Sequence, residues 1–160
     1  MAEAKKDYDE MLEKYEQDIL GLAKPEKISC DKYISISFDS IKSMAIDDIQ
    51  SAIFDLTKYI MYINRILNKE KAWKRLVESK IEEIIASRLP NVMEDVGWNG
   101  KMLIAKYNNE ETRPYLKILK EINLKIDSLS SLPYDIQRVS DTYKDIMFEK
   151  IRKLKAQNTN

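Results

Sequence analysis

The chain has 160 residues, 44% hydrophobic and 34% charged, with three glycines, four prolines, no histidine and a formal net charge of zero. That length and apolar content predict one all-α domain with a real core, and zero charge excludes whole-molecule attraction to nucleic acid. Lacking histidine, the chain lacks the commonest general base and metal ligand, and the single cysteine, Cys30, excludes an intrachain disulfide and a Cys-rich zinc site.

No glycine-rich loop is present to cradle a phosphate, so neither nucleotide fingerprint exists, and we expect no enzyme and no cofactor. The opening Met-Ala-Glu-Ala-Lys-Lys lacks the apolar core of a signal peptide. Asp55 and Lys58 interrupt the most apolar window, which leaves no run of about 20 residues able to span a bilayer. A cytoplasmic protein without a membrane partner is the expectation.

Local charge is uneven. Residues 1–40 carry six Lys/Arg against ten Asp/Glu, residues 64–88 seven against four, and residues 113–160 ten against six. An acidic arm thus precedes two mildly basic helical segments. Residues 3–23 predict an amphipathic helix with Tyr8, Leu12, Tyr15, Ile19 and Leu22 on one side, stopped by Gly21 and Pro25. The expected organisation is an N-terminal arm over 1–25 and a single helical domain over 26–160.

Over residues 28–41, Ile34, Ile36 and Phe38 alternate with Ser35, Ser37 and Asp39, which reads as extended chain. Met102 to Tyr107, after the Asn99-Gly100 turn signal, is the one pairing partner available. Two alternatives stay open: a small two-stranded ribbon, or extended linkers lying on the helical core.

Ser43 to Leu89 contains no Gly or Pro and predicts one very long helix, with Ser43 as N-cap and Asp47 and Asp48 at the positive end of the dipole. Ile46, Ile49, Ile53, Leu56, Ile60, Ile63 and Leu67 follow at spacings of three and four, the pattern of a helix burying a narrow seam. Glu70 and Lys74 then occupy the next two seam positions, and the apolar row resumes on Ile66, Trp73, Val77 and Ile84. A slip of that kind rotates the buried face, so the two halves are expected to contact different partners. Leu89-Pro90 ends the helix.

Residues 90–112 are irregular, and Trp98 within them reads as a packing anchor for the loop. Thr112-Arg113-Pro114 starts another helix, with Tyr115, Leu119, Ile122, Ile126 and Leu129 as its seam. After Ser130-Ser131-Leu132-Pro133 the pattern continues through Ile136, Val139, Tyr143, Ile146 and Leu154. Pro133 marks either a kink or a tight turn between antiparallel helices, and the paired serines favour the turn. The fold expected is therefore a long central helix packed on a C-terminal helical pair, with an N-terminal helical arm.

Two groups of residues suggest function. Lys69, Lys71, Lys74 and Arg75 surround Trp73, with Arg65 and Lys80 on either side; cations that follow a phosphate backbone beside an aromatic on which a base can stack suit single-stranded DNA. The bland alternative places Trp73 in the seam and the lysines in solvent. Glu78, Glu82 and Glu83, with Lys80 among them, read as a solvated face. The second group is Ile53, Phe54, Ile60, Met61 and Ile63, whose apolar surface is too wide for one helical pair to cover and predicts a homo-oligomer.

The string Leu56-Thr57-Lys58-Tyr59-Ile60-Met61-Tyr62-Ile63-Asn64-Arg65 leads into a Lys-rich half-helix. With the later Tyr115-Leu116 and Glu121-Ile122-Asn123-Leu124-Lys125-Ile126, it resembles the phage recombination mediator proteins of the UvsY family over about residues 45–155. Residues 1–40 have no counterpart there, and Val139-Ser140-Asp141-Thr142 stands where that family's basic stretch is expected. The resemblance implies a helical ring that binds single-stranded DNA and helps load a recombinase. The competing expectation is an adaptor that recruits a partner protein's helix and binds no nucleic acid.

Overall fold

The computed structural model describes residues 2–18, 30–88, 97, 100, 103–104, 106–107 and 109–157. Every regular element among them is helical: α1 (Ala2–Asp18), α2 (Asp31–Ile34), α3 (Phe38–Ser43), α4 (Ile46–Arg88), α5 (Arg113–Ser130) and α6 (Leu132–Gln157). The long central helix, the C-terminal pair and the N-terminal helix are those the heptad pattern predicts. No helix among the described residues is long and apolar enough to cross a membrane.

The chain divides into two compact units, Met1–Tyr15 with Leu67–Ser128 and Glu16–Ile66 with Leu129–Asn160. In the first unit Trp73, Val77, Ile81 and Ile85 of α4 bury themselves with Ile122 of α5. Tyr115, Leu116, Ile118, Leu119 and Ile126 pack around them from α5, and Tyr8 from α1. Past Leu67 the buried row runs on through Trp73, Val77, Ile81 and Ile85, while Ile66 and Ile84 are half-buried. Val77 and Ile81 stand two heptads after the buried Ile63 and Leu67, so the expected one-residue slip of the seam is not what the burial follows.

In the second unit α4 buries Ile49, Ala52, Leu56 and Ile63, and α6 buries Ile136, Tyr143 and Ile146. The connection between α5 and α6 is one residue, Ser131, whose carbonyl accepts from the N–H groups of Tyr134 and Asp135. Pro133 sits in the first turn of α6, where a missing N–H does no harm.

Residues 31–43 correct the extended reading. They form α2 and α3, and there is no strand among the described residues. Serines that alternate with apolar residues here close local hydrogen bonds: the Ser37 hydroxyl accepts from the Ser40 N–H at 3.2 Å and so caps α3, while the Ser43 hydroxyl donates to the Ser40 carbonyl at 2.7 Å. Ser43 thus closes α3 instead of capping α4, which begins with the Ala45 carbonyl accepting from the Ile49 N–H. The ribbon also lacks its partner, because residues 103, 104, 106 and 107 are helical. Gly21, Pro25, Trp98 and the Leu89-Pro90 stop lie outside the described residues.

Candidate functional site

The basic cluster of α4 is largely engaged by carboxylates. In the second unit Arg65 is paired with Glu16 of α1. In the first unit Lys69 donates to Glu13 at 2.9 Å, Lys74 lies 3.8 Å from Glu78, and Lys80 lies 2.7 Å from Glu83. The Glu83 hydrogen bond holds the Lys80 ammonium above its ordinary pKa. Lys71 and Arg75 are exposed, four residues apart, and have no carboxylate at ion-pair distance among the described residues.

Trp73 is core. Its side chain is 4% exposed, and the Tyr8 ring lies against it with centroids 5.5 Å apart and planes tilted by 41°. What little of it is exposed borders a groove of about 320 Å³ that is also lined by Leu76, Lys80, Glu83 and Tyr115, with Leu76 48% exposed.

Glu70 occupies the seam between Leu67 and Trp73. Its side chain is only 13% exposed, with Lys5 at 2.7 Å and Lys125 at 3.9 Å from one oxygen. The other oxygen, Oε2, is buried with no hydrogen-bond partner. A carboxylate where the heptad requires an apolar side chain is visible in sequence; that it would be buried and paired across to α1 is not.

Of the oligomer set, Phe54 and Met61 are 60% and 61% exposed and stand seven residues apart on α4. Ile53 and Ile60 are half-buried beside them. Ile63, at 3% exposed, belongs to the core of its own chain and is unavailable to a second subunit, because the seam it continues is filled from within. The ammonium of Lys58 lies 4.3 Å above the Phe54 ring, and Tyr59 and Tyr62 stack at 6.3 Å.

One feature went unread in the sequence. Lys106, Tyr107, Arg113, Lys117 and Lys120 line an open groove of about 820 Å³ in the first unit, with Glu78 and Asp127 also on its wall. Tyr107 is 58% exposed. The signal available was the i,i+3 and i,i+4 spacing of Arg113, Lys117 and Lys120, which puts three cations on one helical face.

Burial in the second unit supports its fold rather than a chemical site. The Tyr33 hydroxyl donates to Asp55 Oδ2 at 2.9 Å, Tyr143 donates to the Tyr33 carbonyl at 3.0 Å, and the Cys30 thiol faces the Asp55 carbonyl at 3.6 Å. Burial pushes the Cys30 thiol and the Tyr143 phenol above their ordinary pKa values, so both stay protonated near neutrality. No cluster of three His, Cys, Asp or Glu able to hold a metal occurs among the described residues. Comparison with protein-family models, with curated proteins and with solved structures returns no match to this chain.

Proposed function

We propose that this chain is a non-enzymatic helical scaffold that self-associates and acts through protein–protein contacts. The exposure of Phe54 and Met61 carries this reading. Two large apolar side chains, about two turns apart on the face of α4 that its own core leaves open, are what a second copy covers. Each contributes on the order of 1.5–3 kcal/mol when buried. Cyclic symmetry suits a single repeated patch of this kind. Size-exclusion chromatography with multi-angle light scattering tests it: an oligomer at tens of micromolar is expected, and a monomer contradicts it.

A second reading rests on a different observation. The exposed cations Lys71 and Arg75 on α4, and the groove of Lys106, Lys117, Lys120 and the Glu110-paired Arg113 beside exposed Tyr107, suit a phosphate backbone with a base on the aromatic face. On this reading the assembled protein is a single-stranded DNA-binding recombination mediator, as the resemblance to the UvsY family implies. Anisotropy of a labelled oligo-dT across a salt series tests it. Binding whose salt slope shrinks in Lys117→Ala/Lys120→Ala supports the reading, and no binding at low salt leaves the scaffold alone. The burial of Trp73 and the pairing of Lys69, Lys74 and Lys80 favour the scaffold reading.

A further inference from the structure

Among the described residues Tyr8 is the one α1 side chain packed against the buried cluster, whereas α5 supplies five around Ile122. Leu12 of α1 is half-buried, and ion pairs add to the hold: Glu13 on Lys69 at 2.9 Å and Lys5 on Glu70 at 2.7 Å. Met11 and Tyr15 face solvent at 60% and 52% exposure. With seven acidic and three basic residues, α1 is an acidic amphipathic helix resting on the basic stretch of α4. With 13–33% of each side chain exposed, these pairs are partly screened by salt, less than pairs on the open surface.

Beneath α1 lies a surface built for an occupant of that chemistry. It offers the flat of Trp73, the ammonium of Lys69 and the buried Glu70, whose Oε2 finds no donor with α1 bound. A cover that leaves a buried carboxylate oxygen unmatched is an incomplete fit, because an unpaired buried acceptor is unfavourable. We propose that this face of α4 is a docking surface for an acidic amphipathic helix of a partner protein, and that α1 is its built-in placeholder. The partner helix presents an aromatic to Trp73, a carboxylate to Lys69 about one and a half turns further along, and a donor to Glu70. Because α1 is tethered, its high effective concentration keeps the surface covered until a better-matched helix competes. This inference is independent of self-association through Phe54 and Met61, and light scattering reports on that separately.

The test uses the full chain and, as probe, a fluorescein-labelled peptide of residues 2–18, read by anisotropy. Wild type is expected to bind the peptide weakly, since its own α1 competes. The full chain carrying Tyr8→Ala/Glu13→Lys is expected to bind it at least tenfold more tightly, with the gain falling as salt rises. In the full chain carrying Tyr8→Ala/Glu13→Gln, adding Lys69→Glu should abolish binding, and a peptide carrying Glu13→Lys should restore it. Circular dichroism checks that the variants keep their helicity. If Tyr8→Ala/Glu13→Lys loses it, Glu13→Gln is read instead, with a several-fold gain expected. Equal affinity for wild type and loosened variant, or equal binding of a scrambled peptide, overturns the proposal. A gain in oligo-dT binding without a gain for the peptide overturns it in favour of nucleic acid. Self-association that strengthens in the loosened variant and is suppressed by added peptide assigns the surface to α1 of a second copy and overturns the partner assignment.

Discussion

The Tyr143 hydroxyl donates to the Tyr33 carbonyl at 3.0 Å, and the two rings meet edge to face with centroids 6.3 Å apart. Tyr33 in turn donates to Asp55, so a residue of α2 is tied to α6 by its backbone and to α4 by its side chain. Tyr143 is fully buried, and its bond satisfies a carbonyl that α2 leaves free. Tyr143→Phe keeps the ring and removes the donor, and should destabilise the protein by about 1–2 kcal/mol. Urea denaturation followed by circular dichroism measures this; an unchanged midpoint would show that the carbonyl finds water instead.

Alkaline pH should weaken the same unit. Burial raises the pKa of the Cys30 thiol and the Tyr143 phenol in the folded state. For groups raised on folding, the stabilisation is full below the unfolded pKa and is lost as pH climbs through the folded one. The loss therefore begins near about pH 8.5 for the thiol and near about pH 10 for the phenol. Thermal melts from pH 7 to 11 should show a plateau and then a decline. Cys30→Ala should flatten the earlier part of that decline and Tyr143→Phe the later part. If both variants decline in parallel with wild type, neither group drives it.

Glu70 gives a prediction of opposite sign. The carboxylate sits in an apolar seam with one oxygen unpartnered, and its Lys125 partner is largely solvated. Replacing a buried ion pair with a well-packed apolar side chain is often neutral or stabilising by about 1–4 kcal/mol. Glu70→Leu should therefore leave stability unchanged or raise it. A loss beyond about 1 kcal/mol would show that the pair with Lys5 outweighs the burial of the charge.

Trp73 separates core from ligand contact. At 4% exposed and packed on Val77 and Tyr8, Trp73→Ala should cost about 3–5 kcal/mol. In a Trp98→Phe background the Trp73 emission should be blue-shifted and insensitive to added oligo-dT. Strong quenching by DNA would contradict its place in the core.

The long helix was legible because forty-three residues without Gly or Pro carry an apolar row at one helical period, and a pattern that long overrides local ambiguity. Glu70 stood out for the same reason, as a carboxylate within that row. Residues 31–43 were misread because alternation over so few residues cannot outweigh serine side chains that cap helices, and among the described residues no strand accepts the pairing. The basic cluster was visible as composition, but its partners Glu13 and Glu16 are more than forty residues away in the chain. Which carboxylate meets which lysine is a tertiary fact. Phe54 and Met61 could be placed beside the seam by angle alone, while the burial of Ile63 depended on how far the seam would be filled.

Self-association through Phe54 and Met61 is the central claim, and light scattering on wild type and on Phe54→Asp/Met61→Lys tests it most directly. Both side chains project into solvent, so the double variant should keep the wild-type circular dichroism and melt. The account predicts an oligomer for wild type at tens of micromolar and a folded monomer for the variant. A wild type that is already monomeric, or a variant with undiminished mass, would contradict it.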